Sequence, residues 1–366
     1  MARLGDSVRI RTGKLDANAS NENGQYPFFT CAIEPLKIDT YSYDCECVLV
    51  AGNGDLNVKY YNGKFDAYQR TYIIESLDKT VLSIPYLYCF LDKYVETLRQ
   101  QAIGGVIKYI KLGNLTEAEI PIPLIAGQKK IVENLSKLNE LIALRKEQLA
   151  KLDELVKSRF IELFGDPEYN EKQWAVLKLE TLCSVSSSKR IYQNELSAEG
   201  VQFLRISDLV NRMDTGSTEC ELYIPEERYE ELKVSGLVPV AGDMLLTARG
   251  TLGRCYTLTA SDKFYFQDGM ITWLYDFDKA LTTNYLTHLF AMSGFRKQID
   301  SLQAGSTVAY LSIAMTKKLD VMLPPIELQN QFATFVEQTD KSKLAIQQSL
   351  EKLETLKKAL MQRYFG

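Results

Sequence analysis

The sequence predicts an α+β protein: two globular mixed α/β domains joined by two long antiparallel helices that form a coiled coil with pseudo-twofold symmetry. The main observation is an ungapped repeat, because residues 120–165 align with residues 321–366 at a constant shift of 201 positions (321 minus 120). Each copy opens with proline, continues with a long periodic stretch and ends in Phe-Gly. A repeat of this length usually marks a duplicated structural unit.

The second observation is that a strand-rich region precedes each copy of the repeat. We therefore predict a first globular domain at 1–119, a first spacer segment at 120–165, a second globular domain at 166–320 and a second spacer segment at 321–366. Similar motifs are related by 175 positions near the domain starts and by 201 near their ends, so the second copy has about 26 extra residues between these motifs (201 minus 175).

Local patterns predict the elements of the first domain. Apolar runs at 47–50 and 72–74 indicate short buried strands. The Gly-Asn-Gly sequence at 52–54 predicts a turn, and Asn-Gly at 62–63 predicts a tight hairpin. Residues 85–101 have the apolar spacing of a helix.

Each spacer segment predicts one long helix, beginning near Gly127 in the first copy and extending for roughly 57 Å at 1.5 Å per residue. Heptad spacing of apolar residues favours a coiled coil over an ordinary core helix, which is the alternative interpretation. Polar residues Arg145, Thr339 and Lys343 interrupt the seam, and we expect them to fix register or to face partner subunits. The positions predicted to form the spacer and to dock partners are Leu138, Ile142, Arg145, Leu149, Leu152, Val156, Ile346, Leu350, Leu353 and Leu360.

Composition narrows the class of protein. The seven cysteines form no CxxC pair and His288 is the only histidine, so we predict reduced thiols and no metal site. No apolar run reaches about 18 residues, which predicts no membrane span. The polar N-terminus does not look like a secretory signal, so we expect a cytoplasmic protein. A net charge of −4 argues against non-specific coating of nucleic acid.

Motifs for catalysis are absent from the sequence. There is no phosphate loop, no dinucleotide-binding glycine motif and no credible Ser/His/Asp set. His288 lies in a helical pattern and is predicted to be packed in the structure. The sequence therefore favours a non-catalytic binding protein without a cofactor of its own.

Several loops combine small residues with hydrogen-bond donors in both domains. Glycine lets a backbone approach phosphate, Lys and Arg neutralise phosphate, and Asn, Gln and Arg can read base edges. Two such domains on one chain suit a split target in double-stranded DNA. A solvated hairpin tip is the alternative interpretation of each loop. The candidate DNA-binding residues are Lys14, Asn18, Asn21, Asn23, Tyr26, Asn53, Lys59, Lys64, Tyr68, Arg70, Ser188, Lys189, Arg190, Arg205, Ser207, Arg249, Thr251, Arg254, Ser306 and Thr307.

The order of these segments resembles the specificity subunit of type I restriction-modification enzymes. The resemblance covers the whole chain and includes Leu-Gly-Asp at 4–6, Tyr-Pro-Phe-Phe-Thr at 26–30, Gly-Lys-Phe-Asp-Ala-Tyr at 63–68 and Phe-Gly-Asp-Pro at 164–167. It implies that each globular domain is a target recognition domain that reads one half of a split DNA sequence. It also implies that the helices set the spacer and dock two methyltransferase subunits.

The same resemblance assigns the chemistry to partner subunits. S-adenosylmethionine, ATP and Mg are expected on those partners, which include restriction/motor subunits, and none is expected on this chain. Because recognition domains vary widely in that family, no base-contacting residue can be transferred to this sequence. Two alternatives stay open at this stage: a coiled-coil scaffold or adhesion module that binds protein or glycan, and an enzyme with an unrecognised site.

Overall fold

The structure, a computed structural model, describes residues 1–302 and 309–366, which divide into two compact units. The first unit comprises Met1–Gln148 and Ile346–Gly366, and the second comprises Leu149–Ala345. Each unit therefore contains one globular region and parts of both repeated segments.

The first unit is built on a sheet with helix α1 packed against its central strands β5 and β6. The strands of this unit are β1 (Ala2–Arg3), β2 (Val8–Thr12), β3 (Tyr26–Phe29), β4 (Leu36–Ile38), β5 (Tyr43–Ala51), β6 (Val58–Ala67), β7 (Thr71–Ser76) and β8 (Glu119–Ile120). Its helices are α1 (Ile84–Gln101), α2 (Leu112–Thr116), the first part of α3 (Ile125–Phe164) and the last part of α9 (Ile326–Phe365). The strand order of the main sheet is β2-β7-β5-β6-β3-β4, and β1 pairs separately with β8.

The strands, the turn at 52–54 and the helix predicted in this region are confirmed, but the hairpin predicted at Asn62-Gly63 is wrong. Strand β6 runs through both residues, with Asn62 opposite Glu46 and Gly63 opposite Cys45 on β5. The chain instead reverses between β5 and β6, where the Ala51 N–H donates to the Asn57 carbonyl at 3.0 Å. Continuous pairing along β5 outweighs the local turn preference of one dipeptide.

The second unit has its own sheets and a larger set of short helices. Its strands are β9 (Ala175–Lys178), β10 (Ser184–Ser186), β11 (Val201–Leu204), β12 (Tyr223–Ile224), β13 (Met244–Thr247), β14 (Cys255–Thr257), β15 (Phe264–Phe266), β16 (Ile271–Tyr275) and β17 (Asp320–Leu323). Its helices are the last part of α3, α4 (Ile206–Thr215), α5 (Glu226–Val234), α6 (Thr283–Ala291), α7 (Ser293–Ser301), α8 (Ile313–Lys317) and the first part of α9 (Ile326–Phe365). Strands are ordered β10-β16-β13-β14 in one sheet and β12-β11-β15 in another, while β9 pairs with β17.

A buried glutamine makes equivalent contacts in the two units. In the first, Gln128 accepts from the Ser83 N–H at 2.9 Å and donates to the Pro123 carbonyl at 2.9 Å. In the second, Gln329 accepts from the Thr282 N–H at 2.9 Å and donates to the Pro324 carbonyl at 2.9 Å. The duplication seen in the sequence therefore extends to hydrogen bonds that join each long helix to its globular region.

Aromatic contacts repeat in the same way at the ends of the long helices. Phe365 at the end of α9 lies 5.3 Å from Tyr86 between ring centroids in the first unit. Phe164 at the end of α3 lies 4.8 Å from Tyr285 in the second unit. These four side chains are buried, so the last turn of each long helix belongs to a hydrophobic core.

Within each unit, α3 and α9 run in opposite directions. In the first unit Asn134 Nδ2 lies 3.4 Å from the Tyr364 hydroxyl, and Lys146 pairs with Glu354 at 3.1 Å. In the second unit Asp153 pairs with Lys343 at 2.6 Å, and the ring centroids of Phe160 and Phe332 are 5.5 Å apart. The ten positions that the sequence places on the helical seam are all buried or half-buried.

Candidate nucleic-acid interface

The turn after β5 is held between two other segments of the first unit. The Gly52 N–H donates to the Arg70 carbonyl at 2.8 Å, and the Ile110 N–H donates to the Gly52 carbonyl at 2.9 Å. Asn53 pairs with Tyr109 as an isolated β-bridge. A Cβ atom on Gly52 would stand 2.3 Å from the Arg70 carbonyl oxygen, so this close approach requires glycine.

Lys14, Tyr68 and Arg70 are brought together near this turn. The Lys14 N–H donates to the Ala67 carbonyl at 3.1 Å, and Leu15 forms a parallel bridge with Tyr68. The loop after β2 is thereby attached to the connection between β6 and β7. The side chains of Lys14 and Arg70 are exposed, and Tyr68 is half-buried.

Lys108 adds a further cation to this group, because its carbonyl accepts from the Gly54 N–H at 2.9 Å and its side chain is exposed. In the part of the chain that the structure describes, Lys14, Arg70 and Lys108 make no ion pair. We call the set Lys14, Asn53, Tyr68, Arg70 and Lys108 the first-unit surface. Unpaired cations beside a fixed turn can neutralise phosphates without first breaking an internal salt bridge.

Tyr26 and Lys64 belong to a different group, centred on Tyr41. The ring centroids of Tyr26 and Tyr41 are 4.9 Å apart, and Lys64 Nζ lies 4.6 Å from the Tyr41 centroid. Hydrogen bonding to Tyr41 raises the pKa of Lys64. Lys59 is half-buried and donates to Asn57, and burial lowers the pKa of its amine.

The three candidate asparagines lie in the loop before β3. Asn21 donates from Nδ2 to Asp39 at 2.7 Å and accepts from the Asn23 N–H at 3.1 Å. Asn18 is exposed in a 3₁₀ turn at Ala17–Ala19. The amide of Asn21 is thus engaged within the loop, whereas the side chains of Asn18 and Asn23 face solvent.

The second unit repeats the turn geometry of the first. The Leu311 N–H donates to the Ala248 carbonyl at 2.9 Å, and Arg249 forms an isolated bridge with Tyr310. The Arg249 guanidinium carbon lies 5.1 Å from the Tyr310 ring centroid, within the range of a cation–π contact. Arg249 therefore occupies the place that Asn53 has in the first unit.

Thr251 and Arg254 follow Arg249 in the loop of the second turn. Thr251 is exposed, and its carbonyl accepts from the Thr247 hydroxyl at 2.5 Å. Arg254 is half-buried and pairs with Asp214 at 2.5 Å, and this hydrogen bond lowers the pKa of the Asp214 carboxyl. Arg254 thus contributes to the internal structure of the unit as well as to its surface charge.

Two more candidate segments of the second unit lie at loops. The Lys189 N–H donates to the Tyr265 hydroxyl at 2.7 Å, and Arg190 pairs with Asp268 at 2.9 Å, which raises the pKa of Arg190. Ser188 is buried, and its hydroxyl has no hydrogen-bond partner among the described residues.

Arg205 lies at the N-terminal end of α4, where it pairs with Asp208 at 3.1 Å and with Glu221 at 2.9 Å. The hydrogen bonds to these carboxylates raise its pKa. Ser207 is exposed beside it. Ser306 and Thr307 lie outside the described residues.

The candidate arginines of the second unit therefore differ in whether they pair with a carboxylate. Arg190, Arg205 and Arg254 each have a carboxylate partner, whereas Arg249 is exposed and stacks on a tyrosine. The sequence analysis missed Lys108, Tyr109 and Tyr310 as neighbours of the two turns. The shift of 201 positions relates Tyr109 to Tyr310 and was the available signal.

His288, the single histidine, is packed as expected. It is half-buried and meets the ring of Phe332 edge-on, with centroids 5.0 Å apart. Burial, together with the nearby Lys343, lowers its pKa to about 4, although Asp340 acts in the opposite direction.

Two other kinds of feature are absent from residues 1–302 and 309–366. No group of three or more His, Cys, Asp or Glu side chains is arranged to hold a metal ion. No helix in these ranges has the length and apolar character needed to cross a membrane. The seven cysteines all have free thiols.

The fold and the paired turns indicate a duplicated protein with two similar units. The family model described as "Type I restriction modification DNA specificity domain" matches residues 1–154 and again residues 171–357. The chain belongs to this family. The resemblance inferred from the sequence is confirmed, and family membership favours DNA recognition over the scaffold or adhesion alternative.

Particular relatives agree with this assignment. The chain is 25% identical over 360 residues to a putative type I restriction enzyme specificity subunit of Haemophilus influenzae, covering 93% of this chain and 88% of that protein. It is 38% identical over 154 residues to the EcoDI specificity subunit of Escherichia coli, covering 42% of this chain and 34% of that protein. Only about a third of the E. coli protein is therefore matched.

Solved structures support the same fold. The crystal structure of a type I restriction-modification S subunit from M. genitalium matches with a TM-score of 0.63 at 16% identity, covering 100% of this chain and 95% of that chain. A chain from a structural study of complex assembly and conformational transition in a type I R-M system matches with a TM-score of 0.59 at 15% identity, covering 100% and 96%.

Proposed function

We propose that this chain is the DNA-recognition subunit of a type I restriction-modification complex and that each unit reads one half of a split target. The observation that carries the proposal is the repeated turn: Asn53 beside Tyr109 in the first unit and Arg249 beside Tyr310 in the second. Equivalent backbone contacts present different side chains, and side chains that meet base edges decide sequence preference. The two half-sites would accordingly differ.

The long helices would serve as the spacer between the two units. The opposite directions of α3 and α9 within each unit support an antiparallel coiled coil, and the repeated contacts of Gln128 and Gln329 support a pseudo-twofold relation. Helices of 40 residues are regular and stiff, so their length would limit the number of base pairs between half-sites.

The chemistry would belong to partner subunits. In this proposal two methyltransferase subunits dock on the helices and use S-adenosylmethionine, and restriction/motor subunits with ATP and Mg join the complex. This chain itself would be non-catalytic. Because a restriction-modification complex acts on DNA inside the cell, the proposed location is the cytoplasm.

Methylation mapping tests the proposed function. Adenine methylation in DNA of the source cell should reveal a split motif that disappears when this gene is deleted. A methylation pattern that is unchanged by the deletion would contradict the proposal. The complex of this chain with its modification subunits should bind the motif with a steep dependence on salt concentration, because phosphate contacts release counterions.

Exchange of one globular region tests whether each unit reads one half-site. Replacing residues 1–119 with the corresponding region of another family member should change one half of the motif and leave the other half intact. A change in both halves would refute the assignment of one half-site to each unit.

A further inference from the structure

Residues 103–109 form a narrow closed loop in the first unit, which we call the finger. Ile103 and Tyr109 exchange both backbone hydrogen bonds, at 3.0 and 2.9 Å, and so close the base of the finger. Gly104 has a φ of +118°, and a Cβ there would stand 2.5 Å from the Ile107 carbonyl oxygen. The finger is therefore tight at its base, and glycine is required for the turn.

The tip of the finger presents apolar side chains to solvent. Val106 is fully exposed and Ile107 is 62% exposed. Nothing lies within 4 Å of the position that a Cβ atom would take on the adjacent Gly105, so the tip is slim as well as apolar. Exposed apolar side chains at a protruding tip indicate a contact surface, because they gain nothing from the fold itself.

The finger is joined directly to the first-unit surface. Its base residue Tyr109 forms the bridge with Asn53, and the Lys108 carbonyl accepts from the Gly54 N–H. Arg70 holds the opposite side of the same turn through its carbonyl. Two exposed cations without ion-pair partners in the described residues, Lys108 and Arg70, are thus connected through one turn to the apolar tip.

We propose that Val106 and Ile107 enter a groove of duplex DNA and contact the bases of the half-site read by the first unit, while Lys108 and Arg70 contact the flanking phosphates. This inference rests on the proposed function and adds a specific contact to it. Apolar side chains recognise thymine methyl groups in the major groove or wedge between base steps from the minor groove. The shared chemistry is an apolar contact with base pairs.

The dimensions and charges favour DNA over a protein partner. A stable protein interface buries on the order of 800 Å² per partner, far more than two side chains at a slim tip supply. A DNA groove is only about 6 to 12 Å wide and is bordered by phosphates, which suits an apolar tip with neighbouring cations.

The test replaces the tip with side chains of similar size and higher polarity. The full chain carrying both Val106→Thr and Ile107→Thr, assembled with its modification subunits, is titrated with a duplex containing the split motif mapped in the source cell. We expect about tenfold weaker binding with an unchanged slope of log K against log salt, because no charge is removed. Lys108→Ala should instead lower the magnitude of that slope by about 1.

The matched control is Val234→Thr, which alters an 88% exposed valine of the second unit and should leave affinity unchanged. Unchanged affinity of the double variant would overturn the inference, as would weaker assembly with the modification subunits at unaltered DNA affinity. If the unsubstituted complex shows no sequence-specific binding, the proposed function fails as a whole. Failure of the proposed function is distinguishable from failure of this inference, because the former appears in the unsubstituted complex and the latter only in the double variant.

Crosslinking provides a readout that does not depend on affinity. A photoreactive benzoylphenylalanine in place of Val106 should crosslink to DNA within the first half-site. Replacing thymine with uracil in that half-site shows which groove the tip enters. A loss of affinity identifies a contact with the thymine methyl group in the major groove, whereas unchanged affinity together with crosslinking identifies the minor groove. Crosslinks to a protein subunit and none to DNA would overturn the inference.

Discussion

Gln329→Leu should destabilise the second unit strongly, although glutamine and leucine have similar volumes. Gln329 is fully buried and makes four hydrogen bonds: to the Thr282 N–H at 2.9 Å, the Thr282 hydroxyl at 3.2 Å, the Ala280 carbonyl at 2.8 Å and the Pro324 carbonyl at 2.9 Å. Leucine would leave the buried Pro324 carbonyl without this partner, at a cost of about 1–3 kcal/mol.

The other bonds of Gln329 are partly exposed, and losing each costs about 1 kcal/mol. Added apolar burial offsets about 1 kcal/mol. The free energy of unfolding should therefore fall by about 3–5 kcal/mol. With a urea m-value of about 2 kcal/mol/M, the midpoint of unfolding moves down by about 1.5–2.5 M.

Tryptophan fluorescence is the assay, because Trp174 and Trp273 are the only tryptophans in the sequence and both lie in the second unit. Gln338→Leu is the matched control, since Gln338 is exposed on the same helix. Gln128→Leu removes the equivalent contacts in the first unit and should shift the circular-dichroism transition more than the fluorescence transition. A loss below about 1 kcal/mol for Gln329→Leu would refute the reasoning.

Three further predictions concern pH, DNA binding and the spacer. The pKa of His288 is about 4 in the folded chain against an ordinary value of 6.5, so the unfolded chain binds the proton first as pH falls. Stability should decline from pH 6.5 towards 4 by up to about 3 kcal/mol relative to a His288→Asn variant; parallel urea midpoints for both proteins across that range would contradict this. Arg249→Ala should lower the magnitude of the salt slope of binding by about 1, whereas Lys279→Ala, at an exposed lysine of the same unit, should not; an unaltered slope for Arg249→Ala would remove the second turn from the interface. Seven residues inserted after both Gln148 and Ala345 add about 10 Å of helix, so the mapped motif should gain about three base pairs between its halves, and a motif of unchanged spacing would exclude the spacer role.

The long helices are the part of the fold that the sequence predicts best. Each spacer segment was predicted as one helix, and the structure has helices of 40 residues at Ile125–Phe164 and Ile326–Phe365, related by the same shift of 201. Apolar periodicity over many helical turns is a strong local signal, so it predicts a helix correctly without knowledge of the tertiary fold. The hairpin predicted from the two residues Asn62-Gly63 was wrong, since both lie within a continuous strand.

The candidate site was less accessible from the sequence. The sequence pattern indicates cationic loops but not which cations are paired, because Arg254 and Asp214 are 40 residues apart and Arg190 and Asp268 are 78 apart. The finger was not among the candidate segments. Its position beside Asn53 depends on backbone pairing over more than 50 residues.

The duplication, the two long helices and the family follow from the sequence alone, because these depend on repeated local patterns that persist at a fixed spacing. Which polar side chains remain available for a partner depends instead on the tertiary structure. It paired Arg205 with Glu221, buried Gln329 within a hydrogen-bond network and left Arg249 exposed on Tyr310. Availability depends on which distant groups the fold brings within hydrogen-bond distance, and residue type alone does not encode those distances.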